Sequence, residues 1–117
     1  MNHYYTSDGE ALTDAQIKRR YSQSKKGARQ SYWCESCRSR PAQDCSHTIS
    51  QKRCKELHKT ELIWDEDNWS WDCRKCHQEW ESYKSGKNKQ HHNYELRMAF
   101  IKKHDIEGYE KRLNFSS

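Results

Sequence analysis

The chain has 117 residues, only 32% of them apolar, with a mean hydropathy of −1.45 and a formal net charge of +5. One small domain is expected, without room for a large aliphatic core, so its stability should rest on staples, and six cysteines supply the material. No apolar run follows Met1 and no segment reaches transmembrane length, which excludes a membrane partner and points to a reducing cytoplasmic setting, in a bacterial or phage-infected cell.

In that setting paired C-x2-C spacings read as zinc ligands before disulfides. Charge is unevenly spread. Residues 15–40 carry eight bases against one acid, and 84–117 eight against four, while 41–83 carry nine acids against six bases. Basic flanks around an acidic centre suit a nucleic-acid partner.

Taken in order, residues 1–12 read as a loose tail. Thr13-Asp14-Ala15-Gln16 fits a capping box, and a short helix is expected to about Tyr21. Ser22 to Ser31 reads as a mobile basic arm. Together these make an N-terminal arm, 1–31, whose Lys18, Arg19, Arg20, Lys25, Lys26 and Arg29 are placed to meet phosphates.

Cys34 and Cys37 form a knuckle, and a strand is expected from Pro41 through Cys45 to Ile49. Gln51 to His58 offers a helical turn within a loop, and Asp65 to Asn68 a turn. Trp69 and Trp71 alternate with Ser70 and Asp72 as in a half-buried strand. Cys73 opens a helix to about Lys84, with Cys76, Trp80 and Tyr83 on one face and His77 and Glu81 on the next; Ser85 and Gly86 end it. A basic connector, Lys87 to His92, leads to a helix from Tyr94 to about His104, capped by Asn93, with Tyr94, Met98 and Ile101 on a stripe and Leu96 and Phe100 beside it. Gly108 then interrupts before a short last turn, so a basic extension is expected over 87–117.

Cys34, Cys37, Cys73 and Cys76, two C-x2-C pairs about 35 residues apart, have the make-up of a four-thiolate structural zinc site. Cys45 and Cys54 are read as buried thiols. His47, Asn68 and His77 follow in that order, the last directly after Cys76.

This arrangement resembles the HNH endonucleases, the ββα-metal or His-Me finger fold, over about residues 32–84, within a core expected over 32–86, and most resembles small phage and homing-type members with two zinc knuckles. The resemblance implies an α+β zinc-stapled ββα-metal core with flanking helices. It implies hydrolysis of DNA phosphodiesters, by nicking or double-strand cleavage, in a monomer or homodimer. His47 would be the general base, Asn68 would fix the loop and the imidazole, and His77 would bind a catalytic divalent ion, Mg or Mn, with Zn or Ni also admitted by a histidine. One departure stands out: the position before the base, often a metal ligand in the family, is Ser46. Asp44, in a D-x-x-H arrangement seen in a related branch, and Glu81, one turn after His77, are the substitutes. Lys52, Arg53 and Arg74 would clamp flanking phosphates. The rival readings are a zinc-binding DNA-binding or adaptor module without catalysis, and an RNase with the same site.

Overall fold

The computed structural model describes residues 2–115, so the end of the 87–117 extension lies outside it. Over those residues the chain divides into two units, one of the residues up to Arg29 with Ile49–Asn68, the other of Gln30–Thr48 with the residues from Trp69 on. Segment 49–68, expected inside the 32–86 core, thus folds with the N-terminal residues.

The first unit begins with an antiparallel pair, β1 (Tyr4–Tyr5) and β2 (Ala11–Leu12), where a loose tail was expected. Gly9, at φ 91°, makes the turn, and Leu12 is 2% exposed. The capping box forms: Thr13 accepts from the Gln16 N–H, and the Gln16 side chain accepts from the Thr13 N–H. Helix α1 then runs over Asp14–Gly27, six residues beyond Tyr21, so the basic residues of the expected arm other than Arg29 are helical. Of its side chains only Ile17 is buried, and Lys25 and Lys26 end it where cations suit the dipole. Helix α2 (Gln51–Glu56), capped by Ser50, and two 3-10 turns over Thr60–Trp64 and Glu66–Asn68 complete the unit. Its core is aliphatic: Leu12, Ile17, Ile49, Leu62 and Ile63, with Cys54.

The second unit opens with the Cys34–Cys37 knuckle, closed by a bridge between Trp33 and Pro41. Strands β3 (Asp44–His47) and β4 (Trp69–Asp72) pair antiparallel, with Ser46 opposite Ser70 and His47 opposite Trp69. Pro41 therefore lies outside the strand expected to start there, and β3 stops two residues short of Ile49. Helix α3 (Arg74–Glu81) follows, with Cys73 as its cap rather than its first turn, and it ends before Tyr83, which lies in a separate 3-10 turn over Tyr83–Ser85. A further 3-10 turn covers Lys87–Gln90.

Helix α4 (Tyr94–His104) matches the expected span and buries Arg97, Met98 and Ile101, but Leu96 is 76% exposed. Asn93 makes no cap, because its amide turns to Ser70 Oγ at 2.9 Å. Gly108 does not interrupt: α5 (Ile106–Asn114) runs through it, and the Asp105 carboxylate accepts from its N–H. A Cβ at Gly108 would collide with the Asp105 carboxylate, so a larger residue there would have to shift the capping side chain.

Among the described residues no helix is long and apolar enough to cross a membrane. The architecture is α+β, helices around small two-stranded sheets.

Candidate functional site

The knuckle and the start of α3 bring Cys34, Cys37, Cys73 and Cys76 together, each sulfur within 4.8 Å of the others. A zinc ion bound tetrahedrally at about 2.3 Å from each sulfur needs them about 3.8 Å apart. Cys37 and Cys73 lie 4.0 Å apart, close to that edge. The backbone prepares the site: the Cys37 N–H points at Cys34 Sγ (3.4 Å) and the Cys76 N–H at Cys73 Sγ (3.5 Å), the pattern expected where thiolates need donors.

The thiols respond unevenly. Burial pushes Cys34 and Cys76 up. Burial also raises Cys37, but the Ser39 N–H and the hydrogen bonds of Cys34, Cys76 and Cys73 outweigh it and bring Cys37 down to about 7. Three buried thiols and the half-buried Cys37 crowd together, an arrangement that a divalent metal binding them as thiolates would stabilise. The group is a candidate structural metal site, and its donor set fits zinc.

Around it the second unit is polar inside. The strand face expected to be outer, Ser70 and Asp72, is buried, together with Ser46 across the hairpin. The reason lies on α4. Arg97, 3% exposed, reaches Asp72 Oδ2 at 3.2 Å, and Asp72 is fully buried. Arg97 Nε donates to Thr48 Oγ1 (2.8 Å) and Nη2 to Ser46 Oγ (3.1 Å). Asp72 Oδ1 accepts from Ser36 and Ser70 at 2.8 and 2.6 Å. The Arg97 guanidinium also stacks 4.0 Å from the Trp80 ring, whose other cation is Arg112 at 3.9 Å. Burial pulls Arg97 down to about 10 despite the attraction of Asp72, so it stays charged at neutral pH.

Of the expected catalytic residues, Asp44, His77 and Glu81 come together, but not around one point. Asp44 Oδ2 meets His77 Nδ1 at 3.1 Å, and Glu81 Oε1 meets Nε2 at 3.2 Å. The carboxylates thus sit on opposite ring nitrogens, and one ion on His77 can take only one of them. Asp44 also accepts from Arg74 Nε and Nη2 at 3.3 and 3.1 Å, and Arg74 foremost, then His77, holds its carboxyl below the usual range against the opposing effect of burial. The imidazole of His77 is thus held between two carboxylates, one at each ring nitrogen.

His47 ends β3, half-buried. By strand alternation it shares a face with Cys45, Trp69 and Trp71, the face opposite Ser46 and Asp72. Asn68 belongs to the first unit, where its side chain accepts from the Ile49 N–H (2.7 Å) and donates to the carbonyls of Ile49 and Leu62 (both 3.0 Å). Cys54 is fully buried beside it, whereas Cys45 is only half-buried.

The basic residues differ in how free they are. Lys18, Arg19, Lys25 and Lys26 are exposed along α1, with Lys18 and Lys25 separated by two helical turns on one face; Arg29 is exposed just beyond, and Lys52 on α2. Arg20 is tied to Glu10 at 2.7 Å and lies over Trp64, and Arg53 pairs with Glu56 at 3.4 Å. Arg74 is engaged with Asp44 as above.

Sequence reasoning missed Asp72, Arg97, Glu79 and His91. Arg97 lies between Tyr94 and Ile101 on the buried stripe of α4, a position where a charge is itself the signal of a buried partner. His91 falls in the basic connector, yet it is 7% exposed. Comparison with family models, with curated proteins and with solved structures gave no match to this chain.

Proposed function

We propose that the protein is a metal-dependent endonuclease of the HNH type, acting on DNA. The observation that carries this reading is the order knuckle, β3, β4, α3 with His77 on the helix, its Nδ1 held by Asp44 and its Nε2 beside Glu81. A divalent ion held at His77 Nε2 and Glu81 would supply charge stabilisation at a scissile phosphate. His47, at the end of β3, would take the proton from the attacking water. Asp44 serves in this reading as a positioning residue rather than a ligand, and the exposed lysines and arginines of α1 hold flanking phosphates.

A second reading has its own support. At Ser46, where the resemblance places a metal ligand, the buried Arg97 guanidinium bonds the serine. A fixed cation there favours a zinc-stapled DNA-binding module without catalysis.

The two separate in one experiment: supercoiled plasmid incubated with the full chain in Mg, in Mn and in EDTA. The nuclease reading expects conversion to nicked or linear DNA with Mg or Mn and none with EDTA, and a loss of roughly 100- to 10,000-fold in His47→Ala with DNA affinity kept. Binding of the plasmid without any cutting, or a His47→Ala rate equal to wild type, would replace it with the binding module.

A further inference from the structure

Among the described residues, a second group of ligating side chains shares Cys76 with the four-cysteine site and adds two residues to it. Cys76 Sγ, a Glu79 carboxylate oxygen and a His91 ring nitrogen all lie within 4.8 Å of one another. Cys76 and Glu79 stand one turn apart on α3, and His91 follows the 3-10 turn at Lys87–Gln90. His91 Nε2 meets Glu79 Oε1 at 3.0 Å, and the His91 side chain is 4% exposed. Its Nδ1 is buried with no hydrogen-bond partner. Beside the group opens a cavity of about 290 Å³, which Arg40, Lys75 and His92 also line.

A thiolate sulfur, a carboxylate oxygen and an imidazole nitrogen thus converge on one point, the donor set of a metal site.

We propose that Cys76, Glu79 and His91 form a second metal site, which shares the Cys76 thiolate with the four-cysteine site. Thiolate sulfur has lone pairs enough to bridge two ions. The charges favour it. Four thiolates around one zinc leave an excess of negative charge, to which Glu79 adds, and a second divalent ion offsets most of it. Sulfur, nitrogen and oxygen donors in one group match zinc better than magnesium or calcium. Three protein ligands leave a fourth position, the arrangement of an open zinc site rather than a closed one. That position opens towards the cavity, where Arg40 and Lys75 would favour water ionised to hydroxide or a small anion such as phosphate.

The inference rests on the four-cysteine metal site and not on nuclease activity. The test is zinc stoichiometry of the full chain by native mass spectrometry, after saturation with zinc and removal of loose ions. Wild type should hold two zinc ions, and His91→Ala and Glu79→Gln one each. A wild-type plateau at one, or two ions retained by His91→Ala, overturns the second site; a count of zero overturns the four-cysteine site as well. A chain loaded with one equivalent of zinc and titrated with cobalt gives an independent reading. The second ion should show sulfur-to-cobalt charge transfer in wild type and none in His91→Ala, and a second cobalt bound without that band would remove Cys76 from the site.

Discussion

The two units solve the same shortage of apolar residues in opposite ways. The first gathers its few aliphatics, Leu12, Ile17, Ile49, Leu62 and Ile63, around two capped helices. The second has Met98 and Ile101 as its only aliphatic side chains that are both described and buried, and fills the rest of its interior with tryptophan, thiols and a satisfied ion pair. An apolar core is tolerant, because each methylene contributes a little and neighbours shift to fill small losses. A core of ligands and charges is not, because each polar group is held only by its own partners, and loss of one strands the others. Sensitivity to mutation and to metal should therefore differ sharply between the units.

The largest effect is expected from the metal site. Structural zinc typically supplies on the order of 10 kcal/mol of folding free energy. Chelation of the full chain, or Cys73→Ser, should abolish hydrogen-exchange protection through α3 and α4 of the second unit before α1 of the first loses it. Simultaneous loss everywhere would show that the aliphatic core has no stability of its own.

Next comes the ion pair. Arg97→Ala leaves Asp72 buried and unpaired, and should cost about 3–5 kcal/mol in a denaturant melt. Arg97→Met combined with Asp72→Leu removes both charges and should recover much of that loss. If the double substitution is as damaging as the single one, the bonds to Ser46 and Thr48, rather than the charge pair, hold the hairpin.

A smaller effect is expected in the first unit at Asn68, whose amide serves three backbone groups. Asn68→Ala should cost about 2–3 kcal/mol, from backbone groups left without partners. A loss of activity with unchanged stability would instead tie this residue to chemistry. Smallest is Thr13→Ala, which removes one cap of α1 and should cost about 1 kcal/mol.

What could be read from the sequence followed the kind of interaction involved. The Thr13–Gln16 box is local chemistry with a fixed spacing, and it forms as written. The two C-x2-C pairs carry their spacing with them, and their sulfurs meet. The span of α4 is legible from its periodicity. The polarity of β4 was not, since Trp69 and Trp71 are the larger apolar side chains and nothing nearby in the chain announces that Arg97 will be buried against Asp72. The same holds for residues 1–12, where two-residue strands leave no alternation to detect, and for Asn93, whose amide finds Ser70 in place of its own helix. At the candidate catalytic residues, spacing suggested which side chains belong together but not on which ring nitrogen of His77 each carboxylate would sit.

The burial of Arg97 against Asp72 has a consequence for the order in which the chain matures. Synthesis runs from the N-terminus, and all four paired cysteines have emerged before α4 exists. Metal can therefore close the knuckle while Asp72 still waits for its cation. Until Arg97 arrives, the hairpin must keep that carboxylate hydrated or protonated, so the nascent second unit stays open even where its cysteines have met. It closes only when α4 docks, which makes the last third of the chain the step that commits the unit to its final form.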